Sequence, residues 1–453
     1  MDSFTKISDF TLLFDSFTAE SKNLFESFQN IGTAINAISI EDDGFLPDGI
    51  VSPFGFFMGD YSKSTKAPGK PLFFNQIKVP DCWEITGNNA GGKVMDNNKE
   101  RARLFFSQID NSRLVKIVDW LDEAGVVRVT EHYNKYGAIF CKTLFNTKGH
   151  KTLRTFYSPE GEEVIYENFV TNDLLVKWEG KDHIIHTKIE FLKFFFKCSG
   201  LDETHIIFNS LADPFFLTEA LPRNGYTDVL FWNEPINGEI PGNMQYILDG
   251  HAGRAKKVYV QRHEAYEKLM ELGASPELVK ELGYVYSFER ENNHSMNALI
   301  FTNSDNIEKL EEIIKEVPSI HFHIAAITEM SSKLMSKDLY ENVSLYPGVK
   351  KSVIESLLEK CDIYLDINHE TEIVDAVHRA FLNNQLIMAF DNTIHNRNYV
   401  SPTNIFAAEE YDALIMVLNA IADNPELIDM GLEQQLEFAL AGDSDKYDMN
   451  SMF

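Results

Sequence analysis

Residues 361–395 read CDIYLDINHETEIVDAVHRAFLNNQLIMAFDNTIH, and the fold is decided here. The run 363–367 is short, apolar and rich in β-formers, which predicts a buried strand. Residues 372–383 carry apolar positions at helical spacing. Residues 386–390 return to an uninterrupted apolar run. Strand, helix and strand within about 30 residues make a βαβ unit, which requires a parallel sheet.

The same alternation extends backwards to about residue 200. One run has strands at 205–209, 228–232 and 257–261, with helices at 214–221, 243–248 and from 262. A second run follows 290–295. Its strands are at 298–302, 320–327 and 343–346, and its helices at 306–316, near Met330 and at 350–360. Helices fill 408–440, and the polar tail 441–453 is expected to fray. Two such runs predict two doubly wound sheets facing one another across a cleft. At the other end, Phe10, Leu13, Phe14 and Phe17 recur at helical spacing, so 1–40 reads as helix then strand.

Between these parts the texture differs. Polar–apolar alternation predicts strands at 72–78, 103–108, 113–120, 126–132, 138–145, 151–157 and 164–170, separated by turns such as 122–125, 134–137 and 159–161. Sequential strands with tight turns imply an antiparallel meander. The expected fold class is therefore α/β, with two Rossmann-like domains and an inserted antiparallel β-meander. The expected division is 1–45 with 200–288 as the first Rossmann-like domain, joined by C-terminal helices 430–453. The insertion takes 46–199 and the second Rossmann-like domain 289–429.

Composition narrows the function. The chain has 453 residues with 44% hydrophobic content, enough for a sizeable core and too much for disorder. Its net charge of −28 argues against nucleic acid, whose phosphates demand Lys and Arg. It also argues against charge-driven membrane attachment. Cys82, Cys141, Cys198 and Cys361 form no CxxC pair, which favours a reducing compartment over a disulfide framework. No signal-peptide pattern and no membrane-spanning run are evident, so a cytoplasmic location is expected.

Common catalytic signatures fail. Residues 87–93 (GNNAGGK) have the GxxxxGK spacing, but Val94 stands where Ser or Thr would hold magnesium, and no helix is expected to follow. A structural turn is the better reading. His183/His186 and His321/His323 lack a third ligand, so no metal site is expected. Residues 401–453 hold eleven acidic residues against Lys446 alone, read as a solvated face or, more sharply, a docking surface for a basic partner. Trp120, Tyr133 and Tyr136 sit in an aromatic-rich hairpin that either packs the meander or anchors a partner.

The quoted stretch resembles the last third of a retaining glycosyltransferase of the two-Rossmann-domain type, in the glycosyltransferase B arrangement. Further features carry the resemblance. They are Asp43-Gly44-Phe45-Leu46-Pro47, Phe74-Asn75-Gln76, the run 118–122, His132-Tyr133-Asn134-Lys135-Tyr136-Gly137, Pro241-Gly242-Asn243-Met244-Gln245 and Asn303-Ser304-Asp305. Together they are similar to the stabilising, substrate-binding subunit family of the O-linked N-acetylglucosaminyltransferase in the accessory Sec system of Gram-positive bacteria. Active relatives grip the donor diphosphate with an Arg and a Lys after the first strand of the second domain, where this chain has Asn303-Ser304-Asp305-Asn306-Ile307-Glu308. They also carry a glycine-rich loop and two glutamates eight positions apart. Here the loop is Asn368-His369-Glu370-Thr371-Glu372, and Thr371 and Arg379 fall at the glutamate positions.

The resemblance thus implies a non-catalytic subunit without cofactor. Its expected partners are a catalytic glycosyltransferase subunit, in a 2:2 hetero-oligomer, and a serine-rich repeat adhesin as acceptor. It would be cytoplasmic, with at most peripheral contact at the inner face of the membrane. Asn303, Asn368, His369, Glu370, Thr371, Glu372 and His395 are the candidate acceptor-binding residues, since such side chains suit a hydroxyl-rich ligand. Trp120, Tyr133 and Tyr136 are the candidate partner interface. Two other readings stay open: an active retaining glycosyltransferase acting on Ser/Thr or on glycosylated acceptor, and a chaperone for Ser-rich export substrates.

Overall fold

The structure, a computed structural model, describes residues 5–88, 90–107 and 113–453. The chain divides into two compact units, Met1–Val285 with Asp443–Phe453, and Tyr286–Gly442.

The first unit contains a seven-stranded parallel sheet. Its spatial order is Val279–Glu281, Ala255–Val260, Asp228–Trp232, His205–Phe208, Phe10–Phe14, Asn36–Ser39 and Ile50–Val51. Phe10–Phe14 was expected to be helical and is instead a central strand. The helix follows at Ala19–Asn30, capped by Thr18, whose hydroxyl accepts from the Ser21 amide. A parallel strand buried on both faces is an unbroken apolar run, which over a few residues mimics helical spacing.

A ten-stranded antiparallel sheet belongs to the same unit. Its strands run in chain order from Glu84–Gly87 to Lys181–Ile185. The stretch 72–78 is no strand but holds one 3-10 turn, Phe74–Gln76. It lies with Ile77 against Val94, Leu104 and Val118, covering the early strands. Gly92–Asp96 and Asp173–Trp178 escaped the sequence pattern, as did both edge strands. In the GxxxxGK segment Gly87 ends the first strand and pairs with Gly92, which begins the second, while Asn89 lies outside the described residues. A Cβ on Gly92 would stand 3.0 Å from the Thr86 carbonyl. Later strands are backed by helices Pro53–Met58 and Lys188–Ser199. The second helix buries Phe191, Leu192, Phe195 and Phe196, each contributing about 1.5–3 kcal/mol.

The second unit is a six-stranded parallel sheet in the order Val343–Tyr346, His321–Ala326, Asn297–Thr302, Ile363–Asp366, Leu386–Phe390 and Ile405–Phe406. That is the doubly wound order, with its reversal between Asn297–Thr302 and Ile363–Asp366. Both flanking helices start later than expected, at Leu310–Glu316 and Ala376–Leu382. The α/β class with an inserted antiparallel sheet is thus the observed one.

The C-terminal region departs from expectation. Helix Leu427–Phe438 belongs to the second unit, not the first. Gln435 accepts from the Ile387 amide at 3.0 Å and donates to the Gln385 carbonyl at 3.1 Å, both on the second sheet's side. Only Asp443–Phe453 returns to the first unit. That tail is packed rather than frayed. Tyr447 donates to the Gly283 carbonyl at 2.8 Å, and Phe453 stacks on Phe10 and His205 with centroids 5.4 and 4.6 Å away. No helix among the described residues is long and apolar enough to cross a membrane. No metal-binding group of three His, Cys, Asp or Glu occurs among them.

Candidate functional site

Ligands of doubly wound sheets bind outside the carboxyl ends of the strands, at the reversal of strand order. In the second unit that edge is built by loops after Asn297–Thr302, Ile363–Asp366 and Leu386–Phe390. Asp366 ends its strand with a carboxylate only 1% exposed. One oxygen accepts the His395 amide at 2.7 Å, and the other lies 2.5 Å from His395 Nδ1. His395 Nε2 sits 2.5 Å from the Glu370 carbonyl. Both ring nitrogens therefore face acceptors, which only the imidazolium satisfies. Burial pulls the ring's pKa down, but the Asp366 hydrogen bond and charge, with the Glu370 carbonyl and Glu372, lift it to about 9.

The loop 368–372 is fastened in the same way. Asn368 accepts from Thr302 Oγ1 at 3.0 Å and donates to the Glu370 carbonyl at 3.2 Å. His369 Nε2 meets Glu308 at 2.6 Å. Glu372 accepts the Val377 amide at 2.8 Å, while burial raises its own pKa. Val374 and Asp375 adopt left-handed φ of 54° and 53° before the helix begins. A β-branched residue there is strained. Backbone bonds zip the two loops together, Glu308 N to Ile367 O at 2.8 Å and His369 N to Asn306 O at 3.0 Å. This pairing keeps 306–308 out of the following helix.

All seven candidates therefore lie in one connected cluster. Asn368, His369, Glu372 and His395 spend their polar groups inside it. Asn303 reaches Thr371 only through two long contacts of 3.3 Å, and its Oδ1 is buried without a partner among the described residues. Beside Asn303 opens a groove of about 320 Å³ that also takes in Asp305, Thr328, Glu329 and Ser331. The last three were not singled out from sequence, although they follow strand His321–Ala326 at the same edge. Cations near the loops are already engaged. Arg379 pairs with Glu355, and the Lys309 ammonium sits 4.9 Å from the Tyr411 ring.

In the meander, Trp120 Nε1 donates to Glu131 at 2.9 Å, and the Tyr133 hydroxyl reaches the same carboxylate at 3.3 Å. Tyr133 is only 5% exposed and belongs to the meander core, so it offers a partner little surface. Tyr136 lies apart, in the turn whose Lys135 amide donates to the Gly44 carbonyl.

Comparison with known proteins accounts for this organisation. The chain is 39% identical over 428 residues to the peptide N-acetylglucosaminyltransferase stabilising protein GtfB of Streptococcus agalactiae, covering 94% of this chain and 95% of that protein. The chain belongs to the GtfB family. The Streptococcus gordonii member is 40% identical, with 93% and 94% covered. Four family models match in chain order: the GtfB N-terminal domain at residues 11–57, middle domain at 83–186 and third domain at 188–272, then the GftB/GlyA-F C-terminal domain at 298–435. The GtfB middle domain thus coincides with the antiparallel sheet. A chain of the crystal structure described as the GtfA/B complex bound to UDP and GlcNAc superposes with TM-score 0.82 at 39% identity, covering 96% of this chain and 98% of that one. The reading as a non-catalytic subunit agrees with the name the GtfB relatives carry.

Proposed function

We propose that this chain is the acceptor-holding, stabilising subunit of a protein O-glycosylating complex. Its catalytic partner would transfer N-acetylglucosamine from UDP-N-acetylglucosamine to Ser/Thr of a serine-rich repeat adhesin in the cytoplasm, at most peripherally at the membrane. A 2:2 hetero-oligomer and an accessory Sec route complete the reading. The observation that carries it is the acidic, internally fastened edge of the second sheet. Asp305, Glu308, Glu370 and Glu372 crowd the loops where a diphosphate would need fixed cations, and the His395 imidazolium there is spent on Asp366 and the Glu370 carbonyl. At roughly 6 Å and an effective dielectric near 20, each like-charge pair costs about 3 kcal/mol. Asn303 and the hydroxyls of Thr328 and Ser331 suit a neutral, hydroxyl-bearing acceptor instead. The meander, covered on opposite faces at its two ends, leaves sheet surface for the partner.

The test is calorimetry of UDP-N-acetylglucosamine against the chain alone and against the purified complex. Heat only with the complex, and UDP release only when the catalytic subunit is present, are the expected results. Sugar transfer by the isolated chain would revive the active-enzyme reading. Purification from cells without any glycosyltransferase would favour the chaperone reading.

A further inference from the structure

The first unit holds a groove of about 710 Å³ that plays no part in the function above. Its size falls within the ordinary range of ligand sites. Three structural pieces meet there. Helix Pro53–Met58 and Gly59 form one wall, the turn 158–162 a second, and the hairpin after Asp173–Trp178 the third. Both outer pieces are well fixed. Ser158 Oγ accepts the Glu160 and Glu162 amides at 3.3 and 3.2 Å. The hairpin turns through Glu179 and Gly180 at φ of 50° and 72°, the paired left-handed conformation of a two-residue turn.

Trp178 is the centre of the groove. Its ring packs on Phe56 and Phe57, with centroids 5.1 and 5.2 Å away, and those two residues are 6% and 4% exposed. The indole is therefore held from behind by a rigid aromatic cluster while remaining only half-buried itself. Its N–H makes no hydrogen bond among the described residues. Around it stand Glu160, Glu162, Glu179 and Asp182, whose carboxylates form no ion pair among the described residues, against Lys177 and Lys181, while Lys63 is already paired with Asp60.

These groups define a ligand. A pre-set aromatic plane favours a flat ligand face made of C–H groups. The free N–H and the carboxylates require hydroxyls and an acceptor around that face. The excess of acidic groups disfavours phosphate or nucleotide. A neutral pyranose saccharide meets all three conditions. We infer that the groove between the 158–162 turn and the 178–181 hairpin is a saccharide-binding site, with Trp178 as its platform. The pieces are in place before a ligand arrives, so little ordering opposes binding. If the acceptor reading holds, the ligand in the cell is glycan already on the polypeptide; the site itself does not rest on that reading.

The experiment is saturation-transfer NMR and calorimetry of the full chain with N,N′,N″-triacetylchitotriose, with inorganic phosphate and UDP as controls. Binding with a Kd on the order of 1 mM is expected, as for a small ligand on a single shallow site. Neither control should bind in the groove. Trp178→Phe keeps the packing and loses the N–H, and should weaken the sugar about three- to tenfold. Glu162→Gln with Glu179→Gln touches no core contact and should weaken it similarly, with unchanged thermal unfolding. Absence of saturation transfer at roughly 10 mM sugar, a concentration well above that Kd, overturns the inference. So does equal binding by all variants. Binding that survives these changes but falls with Asn303→Ala would move the sugar to the second unit, overturning this site while supporting the acceptor reading.

Discussion

His395 and Asp366 form an enclosed ion pair, 2.5 Å from Nδ1 to Oδ1, with the other ring nitrogen held on the Glu370 carbonyl. The pair ties the loop after Leu386–Phe390 to the end of Ile363–Asp366. It also fixes loop 368–372 from below.

That pair makes stability depend on pH. The folded-state pKa is about 9, above the ordinary value of 6.5. A raised value stabilises the fold fully below about 6.5, and the benefit is lost as pH rises through 9. The difference is worth up to about 3 kcal/mol. Urea unfolding from pH 6 to 9.5 should show this loss in the wild type and a flatter profile in His395→Gln. Parallel profiles would refute the assignment.

Arg254 and Asp228 are both 0% exposed and meet at 2.8 Å in the first unit. Arg254 also holds the Thr204 carbonyl at 2.5 Å, and Asp228 accepts the Ile206 amide at 2.9 Å. Removing Asp228 strands the Arg254 charge, and removing Arg254 forces Asp228, whose carboxyl pKa burial already lifts to about 7, to take up a proton. Arg254→Met should cost about 3–5 kcal/mol, read as a shift in the urea midpoint.

Trp120 and Tyr133 should separate by phenotype. Trp120→Ala or Tyr136→Ala is expected to weaken association with the catalytic subunit by more than about 2 kcal/mol if either is an anchor, with a folded chain on size exclusion. Tyr133→Ala should lower thermal stability instead, because its ring is buried at home. Unaltered association for both Trp120→Ala and Tyr136→Ala would remove these residues from the interface.

Glu370 and Asn303 carry the free groups of the candidate site. Glu370→Ala and Asn303→Ala should weaken glycosylated acceptor more than bare acceptor, since unpaired site groups penalise the ligand lacking their partners. About a threefold to tenfold difference in titration is expected. His369→Ala with Glu372→Ala tests loop integrity, because those side chains serve Glu308 and the Val377 amide. Equal affinities of both acceptor forms in every variant would exclude the edge as an acceptor site.

The alternation of strand and helix was legible because buried parallel strands such as Leu386–Phe390 are short, apolar and set apart by polar loops. The same property hid Phe10–Phe14, whose apolar run carries no period of its own. The edge strand Lys181–Ile185 leaves Ile184 exposed beside Asp182 on its open face, which blurs its alternation. The site residues were readable as types and as neighbours of strand ends. Their mutual consumption was not. The bridge between Ile307 and Asn368 joins segments about sixty positions apart, and no local pattern records it. Nor did any pattern flag the Trp178 groove, which a short helix, a turn and a hairpin far apart in the chain assemble.

The chain leaves the first unit at Val285 and comes back at Asp443, where Tyr447 and Phe453 lock into place. The second unit is therefore spliced into the first as a loop with two anchored ends. One protease nick near Val285 cannot set it loose, because the thread through Gly442 still holds. Release takes two cuts, or one cut and the extraction of the Phe453 tail, so limited digestion should give nicked but co-eluting fragments before any free unit appears.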